Sequence, residues 1–317
     1  MNLKTLYHTL RILPLMVGGI TTCPVGIAVA VFVVGAGAVN WPLVILAWIG
    51  VVLLHWSAHP LNDILDLEAD RDAPDKEAIR TKSLVLGHAT VKEFSMLSLC
   101  LIAVAIALAG FITLARPLTP LFALAGLFFV LSYNTRFLRL SYHPYTEFIV
   151  EGPFMFFIVV GMFYVATGTI QLPAIVIGII EALLILPPIF SLKSIDRLTD
   201  EKHGKITTIV KSPRVPWSSL SAAVALLAVI VVYGGYPEMF LPLVFTATMV
   251  VICLWQTVEV DVIRYTWMRG IYPNSKTFPP EAATARAAVN QVILLIITNV
   301  GMAGLFIASS IFMSTPA

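Results

Sequence analysis

Charged residues are scarce in this sequence of 317 residues, because Asp, Glu, Lys and Arg together make up only 12% of it. A soluble domain of this size carries about 25% charged residues. Hydrophobic residues supply 58% of the chain, and so few charges could not keep that apolar mass in solution. The shortage of charge excludes a cytosolic enzyme, a nucleic-acid-binding protein and a disordered chain. We therefore expect no nucleic acid among its partners.

Cysteine is rare as well. Cys23, Cys100 and Cys253 lie far apart, each within an apolar run. Their spacing matches neither a metal-binding motif nor a disulfide framework, so we expect free, buried thiols.

Long hydrophobic runs, in contrast, are abundant. A helix that crosses a lipid bilayer needs about 20 mostly apolar residues, because each residue rises ~1.5 Å. The runs lack the two-residue alternation of barrel strands. The nine predicted spans are approximately 12–34, 41–59, 94–112, 118–135, 146–166, 173–192, 217–233, 239–258 and 286–312. The sequence thus predicts an all-α, polytopic membrane protein of nine transmembrane helices that forms one domain over residues 1–317.

The basic residues are distributed unevenly between the two sides that nine spans define. Of the 20 Lys and Arg residues, all except Arg116 fall on the side that carries the N-terminus. Lys and Arg are retained in cytoplasmic loops of membrane proteins. We therefore expect an integral protein of the cell membrane whose N-terminus and long polar loops are cytoplasmic and whose C-terminus lies on the opposite side.

The first acidic cluster follows the second predicted span. Asn62, Asp66 and Asp70 stand four residues apart, and Asp63 lies three residues before Asp66. On a helix these offsets place the four side chains on one face. Carboxylates near the hydrocarbon boundary are costly and indicate function. The alternative for one such cluster is a solvated helix end, which acidic residues often occupy.

A second acidic cluster has the same spacing, because Asp196 and Asp200 also stand four residues apart. Like charges at this spacing repel each other unless a cation lies between them. Mg²⁺ prefers oxygen ligands and takes one or two carboxylates together with substrate phosphates. Two clusters on the same side therefore predict Mg²⁺ ions that bind a diphosphate. The predicted ligands are Asn62, Asp63, Asp66, Asp70, Asp196 and Asp200.

Basic residues flank both clusters and predict a cradle for a leaving diphosphate. Cations neutralise phosphate charge, and Arg adds planar bidentate contacts. Any one of these cations alone is more typical of an anchor at the cytoplasmic surface. The predicted substrate-binding residues are Asn62, Lys82, Tyr133, Asn134, Arg136, Arg139, Lys193, Arg197 and Lys205.

These residues carry a family resemblance. The run from Asn62 to Asp70 matches the NDxxDxxxD motif of the UbiA superfamily of intramembrane prenyltransferases, and Asp196 to Asp200 matches its second motif, DxxxD. The resemblance covers nearly the whole chain. It implies a helical fold whose aspartates face each other across a central cavity, where Mg²⁺ binds a polyprenyl diphosphate with its tail among the helices.

A finer resemblance concerns the acceptor. The stretch from Tyr145 to Pro153 and the pattern D-x-x-x-D-x-x-x-G-K-x-T from Asp196 to Thr207 are similar to the dihydroxynaphthoate prenyltransferases of menaquinone synthesis. This implies an aromatic quinone precursor that attacks an allylic cation. The predicted catalytic residues are Asp66 and Asp196 at the diphosphate, with Glu147 or Glu151 orienting the acceptor or accepting its proton.

Other functions share some of these features. A UbiA-type terpene cyclase would ionise the same diphosphate without an acceptor, and a related prenyltransferase would use a non-aromatic lipid acceptor. A transporter could bind coupling ions through intramembrane acids, but transporter sites lie near the bilayer midplane. The acids of this sequence lie near one membrane face.

Overall fold

The computed structural model describes residues 17–71, 83–264 and 280–314, and these residues form helices and turns without a strand. The described residues contain ten helices longer than ten residues. They are α1 (Thr22–Val34), α2 (Trp41–Leu65), α3 (Val91–Thr113), α4 (Thr119–Asn134), α5 (Gly152–Thr167), α6 (Leu172–Leu184), α7 (Leu186–Lys202), α8 (Trp217–Gly235), α9 (Phe240–Arg264) and α10 (Pro280–Ser314).

Shorter elements connect the long helices. Two single-turn π-helices, Val17–Thr21 and Glu147–Glu151, lead directly into α1 and α5. The remaining short elements are the 3₁₀ turns Ala36–Ala38, Leu140–Tyr142 and Pro237–Met239 and the helices Leu67–Arg71 and Thr208–Lys211.

Local sequence signals set several helix ends. The Asn40 side chain accepts a hydrogen bond from the Leu43 amide and caps the start of α2. Thr90 and Glu93 form a reciprocal capping box at the start of α3. Gly168, at a φ of 80°, ends α5 in the left-handed conformation that glycine adopts without steric cost. The Asn40 and Gly168 signals lie at the same end of the bundle, where the Asn40 amide donates to the Ala166 carbonyl.

Seven helical segments are long and apolar enough to cross a membrane among the residues that the structure describes. Two further apolar helices, Gly19–Val34 and Thr119–Asn134, are shorter. Every predicted span is helical where it is described, so the all-helical membrane architecture is confirmed. The count of nine spans is not confirmed, because these two helices fall short of the length that a bilayer requires.

The predicted span 173–192 is divided into two helices. Helix α6 ends at Leu184 and α7 begins at Leu186, with Pro187 and Pro188 in its first turn. Proline lacks the amide hydrogen that would continue the helical hydrogen bonds, so a helix restarts more easily there than it continues. The second acidic motif lies on α7, which follows this division.

Helix α1 lies at the centre of the largest apolar core. Nine of its residues are buried, and α1 packs against α5 and α10. The backbone of α5 approaches α1 closely at Gly26, where an added Cβ would lie 2.5 Å from the Val159 carbonyl oxygen. The three cysteines are free, but only Cys23 is fully buried. The prediction of a buried thiol is wrong for Cys100, which is exposed on the outer face of α3.

Candidate active site

The first acidic motif crosses a helix end. Helix α2 stops at Leu65, and Asp66 caps it before the short helix Leu67–Arg71 begins. The backbone pattern nevertheless continues, because the Asp66 amide donates to the Asn62 carbonyl and the Asp70 amide donates to the Asp66 carbonyl, each at 2.9 Å. The four-residue spacing therefore keeps these side chains on one side of the chain, although the helix itself is interrupted.

The aspartates of this motif are buried rather than solvated. Asp63, Asp66 and Asp70 are each less than 9% exposed. The Oδ2 atom of Asp66 accepts hydrogen bonds from Asn62 at 3.3 Å and from Lys205 at 3.1 Å. This burial argues against a simple solvated helix end, because acids that serve only as solvated caps stay in water.

Lys205 brings the two acidic motifs together. Its Nζ lies 3.1 Å from Asp66 Oδ2 and 3.9 Å from Asp200 Oδ1. Asp200 and Asp196 share helix α7, and the chain turns back after α7 at Gly204, whose φ is 69°. Carboxylates separated by 134 positions in the sequence are thus both within salt-bridge distance of one ammonium group.

The charges at this position shift the pKa of two groups. Burial alone would lower the pKa of Lys205, but the carboxylates of Asp66 and Asp200 outweigh burial and raise it above its usual range. Burial and the neighbouring Asp66 carboxylate raise the pKa of Tyr142. Lys205 is therefore a permanent cation at neutral pH, and Tyr142 is a neutral hydrogen-bond donor.

Tyr142 belongs to the site although the sequence did not indicate it. Its hydroxyl donates to Asp66 Oδ1 at 3.0 Å, and its backbone carbonyl accepts from the amide of Ile206, next to Lys205. The guanidinium of Arg139 lies 3.5 Å from the centre of the Tyr142 ring. Its position in the basic loop after α4 only weakly indicated a role in the site. The contact with Asp66 spans 76 positions of the sequence, so no local spacing of residues could predict it.

A second charged cluster, formed by Glu147, Glu151, Lys193 and Tyr133, lies beside the first. Lys193 Nζ is 2.9 Å from Glu147 and 3.3 Å from Glu151, and it lies 5.5 Å from the centre of the Tyr133 ring. The two glutamates of the π-helix thus share one buried cation from α7.

The two glutamates differ in their burial and in the hydrogen bonds that they accept. Glu147 is fully buried and accepts a second hydrogen bond, from the Thr208 hydroxyl at 2.5 Å. The side chain of Glu151 is 17% exposed. Glu147 is thus held by two elements, while Glu151 keeps an accessible edge.

The remaining predicted site residues occupy several positions. Asn134 donates to the Val130 carbonyl of its own helix. Arg136 is exposed, and Arg139 stacks on Tyr142. Arg197 pairs with Glu201, four residues along α7, at 3.7 Å. Asp196 is half-buried on α7. Lys82 lies outside the described residues.

An apolar cavity of about 100 Å³ lies between α2, α3, α4 and α5, and none of the charged site residues lines it. Its lining is almost wholly hydrophobic, and Leu54, Gly126 and Phe154 lie at the end nearer the acidic motifs. Phe154 contacts both His55 and Phe129 through its ring. Phe157, which follows Phe154 by three residues on α5, also lines the cavity.

The donor set of the two motifs fits Mg²⁺. Among the described residues, no three acidic, histidine or cysteine side chains converge into a closed metal cage. Mg²⁺ on a diphosphate does not need one, because phosphate oxygens and waters complete its shell around one or two carboxylates. Asp66 and Asp200 supply one buried carboxylate from each motif, next to the same ammonium group.

A match to a protein-family model shows which family this chain belongs to. The model of the UbiA prenyltransferase family matches residues 23–271, which include both acidic motifs. The chain belongs to the UbiA prenyltransferase family. A search of curated proteins found no match to the sequence.

Solved structures of UbiA homologues share the fold of this chain. A UbiA homologue from Archaeoglobus fulgidus bound to GPP and Mg²⁺ superposes with a TM-score of 0.60 at 14% identity, covering 95% of this chain and 99% of the other. An apo UbiA homologue from Aeropyrum pernix K1 gives 0.57 at 18% identity, with 91% and 98% covered. A digeranylgeranylglyceryl phosphate synthase gives 0.56 at 16% identity, with 96% and 99% covered.

Proposed function

We propose that this protein transfers a prenyl group from a polyprenyl diphosphate to an aromatic acceptor in the membrane. The observation that carries the proposal is the convergence of Asp66 and Asp200 on Lys205. The acids and the lysine provide a charged end for a diphosphate, and the apolar cavity among α2, α3, α4 and α5 provides a hydrophobic environment for a prenyl tail. The homologue bound to GPP and Mg²⁺ supports the same substrate chemistry.

The two motifs would hold Mg²⁺ through Asn62, Asp63, Asp66, Asp70, Asp196 and Asp200. When bound, Mg²⁺ supplies Lewis-acid stabilisation of the charge that develops on the diphosphate. Lys205 adds a fixed positive charge beside the same oxygens. Tyr142 orients Asp66 through its hydroxyl and holds Arg139 by stacking. Charge fixed in advance in a water-poor site stabilises a leaving anion more than flexible charge in bulk water.

The glutamate cluster is assigned to the acceptor. Glu147 is occupied by Lys193 and Thr208 and therefore positions Lys193 rather than contacting substrate. Glu151, which keeps an accessible edge, accepts the proton of the acceptor hydroxyl. An aromatic ring would stack near Tyr133, and its ring carbon would attack the allylic cation left when the carbon–oxygen bond to the diphosphate breaks.

The orientation in the membrane follows the basic residues. The chain is a single domain whose N-terminus and charged end face the cytoplasm, where soluble diphosphates are available, and whose C-terminus lies on the opposite side. The apolar cavity then extends into the bilayer, from which the prenyl tail enters.

The direct test is turnover by the purified protein with Mg²⁺. Pyrophosphate release and prenylated product are measured for several prenyl diphosphates, with and without dihydroxynaphthoate or hydroxybenzoate. We expect product only with an aromatic acceptor, and loss of turnover in Asp66→Ala and Asp196→Ala. A cyclic terpene formed without acceptor would contradict acceptor transfer, and near-normal turnover of either variant would contradict the metal assignment.

A further inference from the structure

Two loops of the site lie side by side and are joined by hydrogen bonds. One loop follows α4 and leads into the π-helix that carries the two glutamates, and the other follows α7. The Ile206 amide donates to the Tyr142 carbonyl at 3.1 Å, and the Tyr145 amide donates to the Thr208 hydroxyl at 2.6 Å. Because the loop after α7 also carries Lys205, these hydrogen bonds connect the diphosphate end of the site with the glutamate cluster.

The hydroxyl of Thr208 acts both as an acceptor and as a donor in this contact. It accepts from the Tyr145 amide and donates to Glu147 Oε2 at 2.5 Å, and the Thr208 side chain is fully buried. A hydroxyl carries one proton, so these two bonds use its donor and fix its direction. The other oxygen of Glu147, Oε1, accepts from Lys193 at 2.9 Å. Glu147 is thus held on one oxygen by Thr208 and holds Lys193 with the other.

The backbone at Tyr145 is in the left-handed region, with a φ of 67°. A bulky residue seldom adopts this conformation, and it persists only where the surrounding structure holds it. The Tyr145 ring packs against Trp217, and its amide donates to Thr208. The Thr208 hydroxyl therefore helps to hold an unfavourable backbone conformation two residues before Glu147.

We infer that Thr208 is a positioning residue that fixes the acceptor cluster relative to the diphosphate end of the site. It follows Lys205 by three residues, so their Cα atoms are at most about 11 Å apart. It acts through Glu147 on Lys193, which also lies 3.3 Å from Glu151. The inference rests on the proposed function, because only a reaction with an acceptor requires a fixed distance between the two clusters.

The two steps of the proposed reaction depend on Thr208 to different degrees. The carbon–oxygen bond to the diphosphate breaks beside Lys205 and the aspartates, and the allylic cation is then captured by a ring carbon of the acceptor. If the acceptor is displaced, water captures the cation instead, which forms a prenyl alcohol and releases a proton. A displacement of about 1 Å is enough to slow a positioned reaction strongly. Loss of the Thr208 hydroxyl should therefore divert the cation to water more than it slows the formation of the cation.

Variants of Thr208 separate its hydroxyl from its shape. Thr208→Val removes the hydroxyl and keeps the branched side chain, whereas Thr208→Ser keeps the hydroxyl and loses a methyl group. Thr208→Cys, whose thiol is a weak donor, serves as a milder variant in case Thr208→Val is poorly folded, which its melting temperature would reveal. Thr246→Val is the matched control, because Thr246 is also fully buried and its hydroxyl donates to the Pro242 carbonyl of α9 at 2.8 Å.

The test measures pyrophosphate, prenylated product and prenyl alcohol formed by the purified protein with Mg²⁺, geranylgeranyl diphosphate and either dihydroxynaphthoate or hydroxybenzoate. In the wild type we expect prenylated product to match pyrophosphate. In Thr208→Val, product formation should fall about tenfold while pyrophosphate release changes less than about threefold, and prenyl alcohol should account for the difference. Thr208→Cys should show a smaller diversion, and Thr208→Ser and Thr246→Val should keep the wild-type ratio of product to pyrophosphate.

A wild-type ratio of product to pyrophosphate in folded Thr208→Val or Thr208→Cys would overturn the inference. A ratio that Thr208→Val and Thr246→Val lower alike, or that Thr208→Ser does not restore, would overturn it as well. Failure of the proposed function gives a different result, because the wild type itself then forms no prenylated product with either acceptor. In that case the inference about Thr208 fails together with the acceptor.

Discussion

The hydroxyl of Tyr142 and the Oδ1 atom of Asp66 are joined by a hydrogen bond of 3.0 Å, while Oδ2 of the same carboxylate faces Lys205. One aspartate of the first motif is thus fixed from both sides by residues of two later loops. A carboxylate that is fixed in this way keeps its orientation when a charged ligand arrives, and it needs little rearrangement during the reaction.

The first prediction concerns this hydrogen bond. Tyr142→Phe removes the donor to Asp66 but keeps the ring on which Arg139 stacks, so kcat/KM should fall by about 5- to 10-fold, as expected for one hydrogen bond. Steady-state pyrophosphate release measures the effect. Tyr145→Phe, which removes a hydroxyl from the same loop on a ring that packs against Trp217, is the control and should change little. Equal losses in both variants would contradict a specific role for Tyr142.

The second prediction concerns Lys205. Lys205→Met removes the cation between Asp66 and Asp200, and kcat/KM should fall by about 10- to 100-fold, because hydrogen bonds to charged groups are the stronger ones. Lys205→Arg should recover part of the loss, since it restores the charge. Lys211→Met removes an exposed lysine that lies over the Tyr145 ring, and it should retain activity. The idea fails if Lys205→Met is as active as Lys211→Met.

The third prediction separates the two glutamates. Glu147→Gln removes the fully buried carboxylate that faces Lys193, while Lys193 keeps Glu151 as a partner, and should destabilise the protein by about 1–3 kcal/mol, which a thermal unfolding scan in detergent detects. Glu151→Gln should leave the melting temperature nearly unchanged but lower prenylated product more than pyrophosphate release. The reverse pattern, with Glu147→Gln stable and selectively defective in transfer, would exchange the two roles.

The fourth prediction tests the packing of α1. Gly26→Val places a side chain against the Val159 carbonyl, so α1 and α5 must separate, and we expect a loss of stability of about 1–3 kcal/mol. Gly37→Val is the control, because Gly37 has open space around an added Cβ. The unfolding temperatures of the two variants should differ clearly. Similar values would show that this contact is not tight in solution.

Sequence patterns predicted the helical architecture because apolar runs in lipid have to satisfy their backbone hydrogen bonds internally. They did not predict the break at Ile185, since the run from Leu172 to Leu192 is apolar except for Glu181 and Ser191 and only Pro187 and Pro188 indicated a restart. Residue spacing cannot show whether two prolines end a membrane helix or merely bend it.

For the site, spacing predicted which aspartates share a face but not which partners they meet. The contact of Lys193 with Glu147 spans 46 positions and that of Lys205 with Asp66 spans 139. Both lysines were predicted to bind substrate, because a basic residue near an acidic motif gives no sign of its own ion pair. Contacts of this kind depend on how the helices are arranged, and local sequence patterns do not predict that arrangement.

The burial of α1 has a consequence for biogenesis. Asn299 on α10 donates to the hydroxyls of Thr21 and Thr22, across more than 270 positions of the chain. The contacts between Asn299 and the first helix can therefore form only after residues 280–314 have left the ribosome. A chain truncated before α10 would lack them, so α1 should pack less stably in such a chain than in the full-length protein.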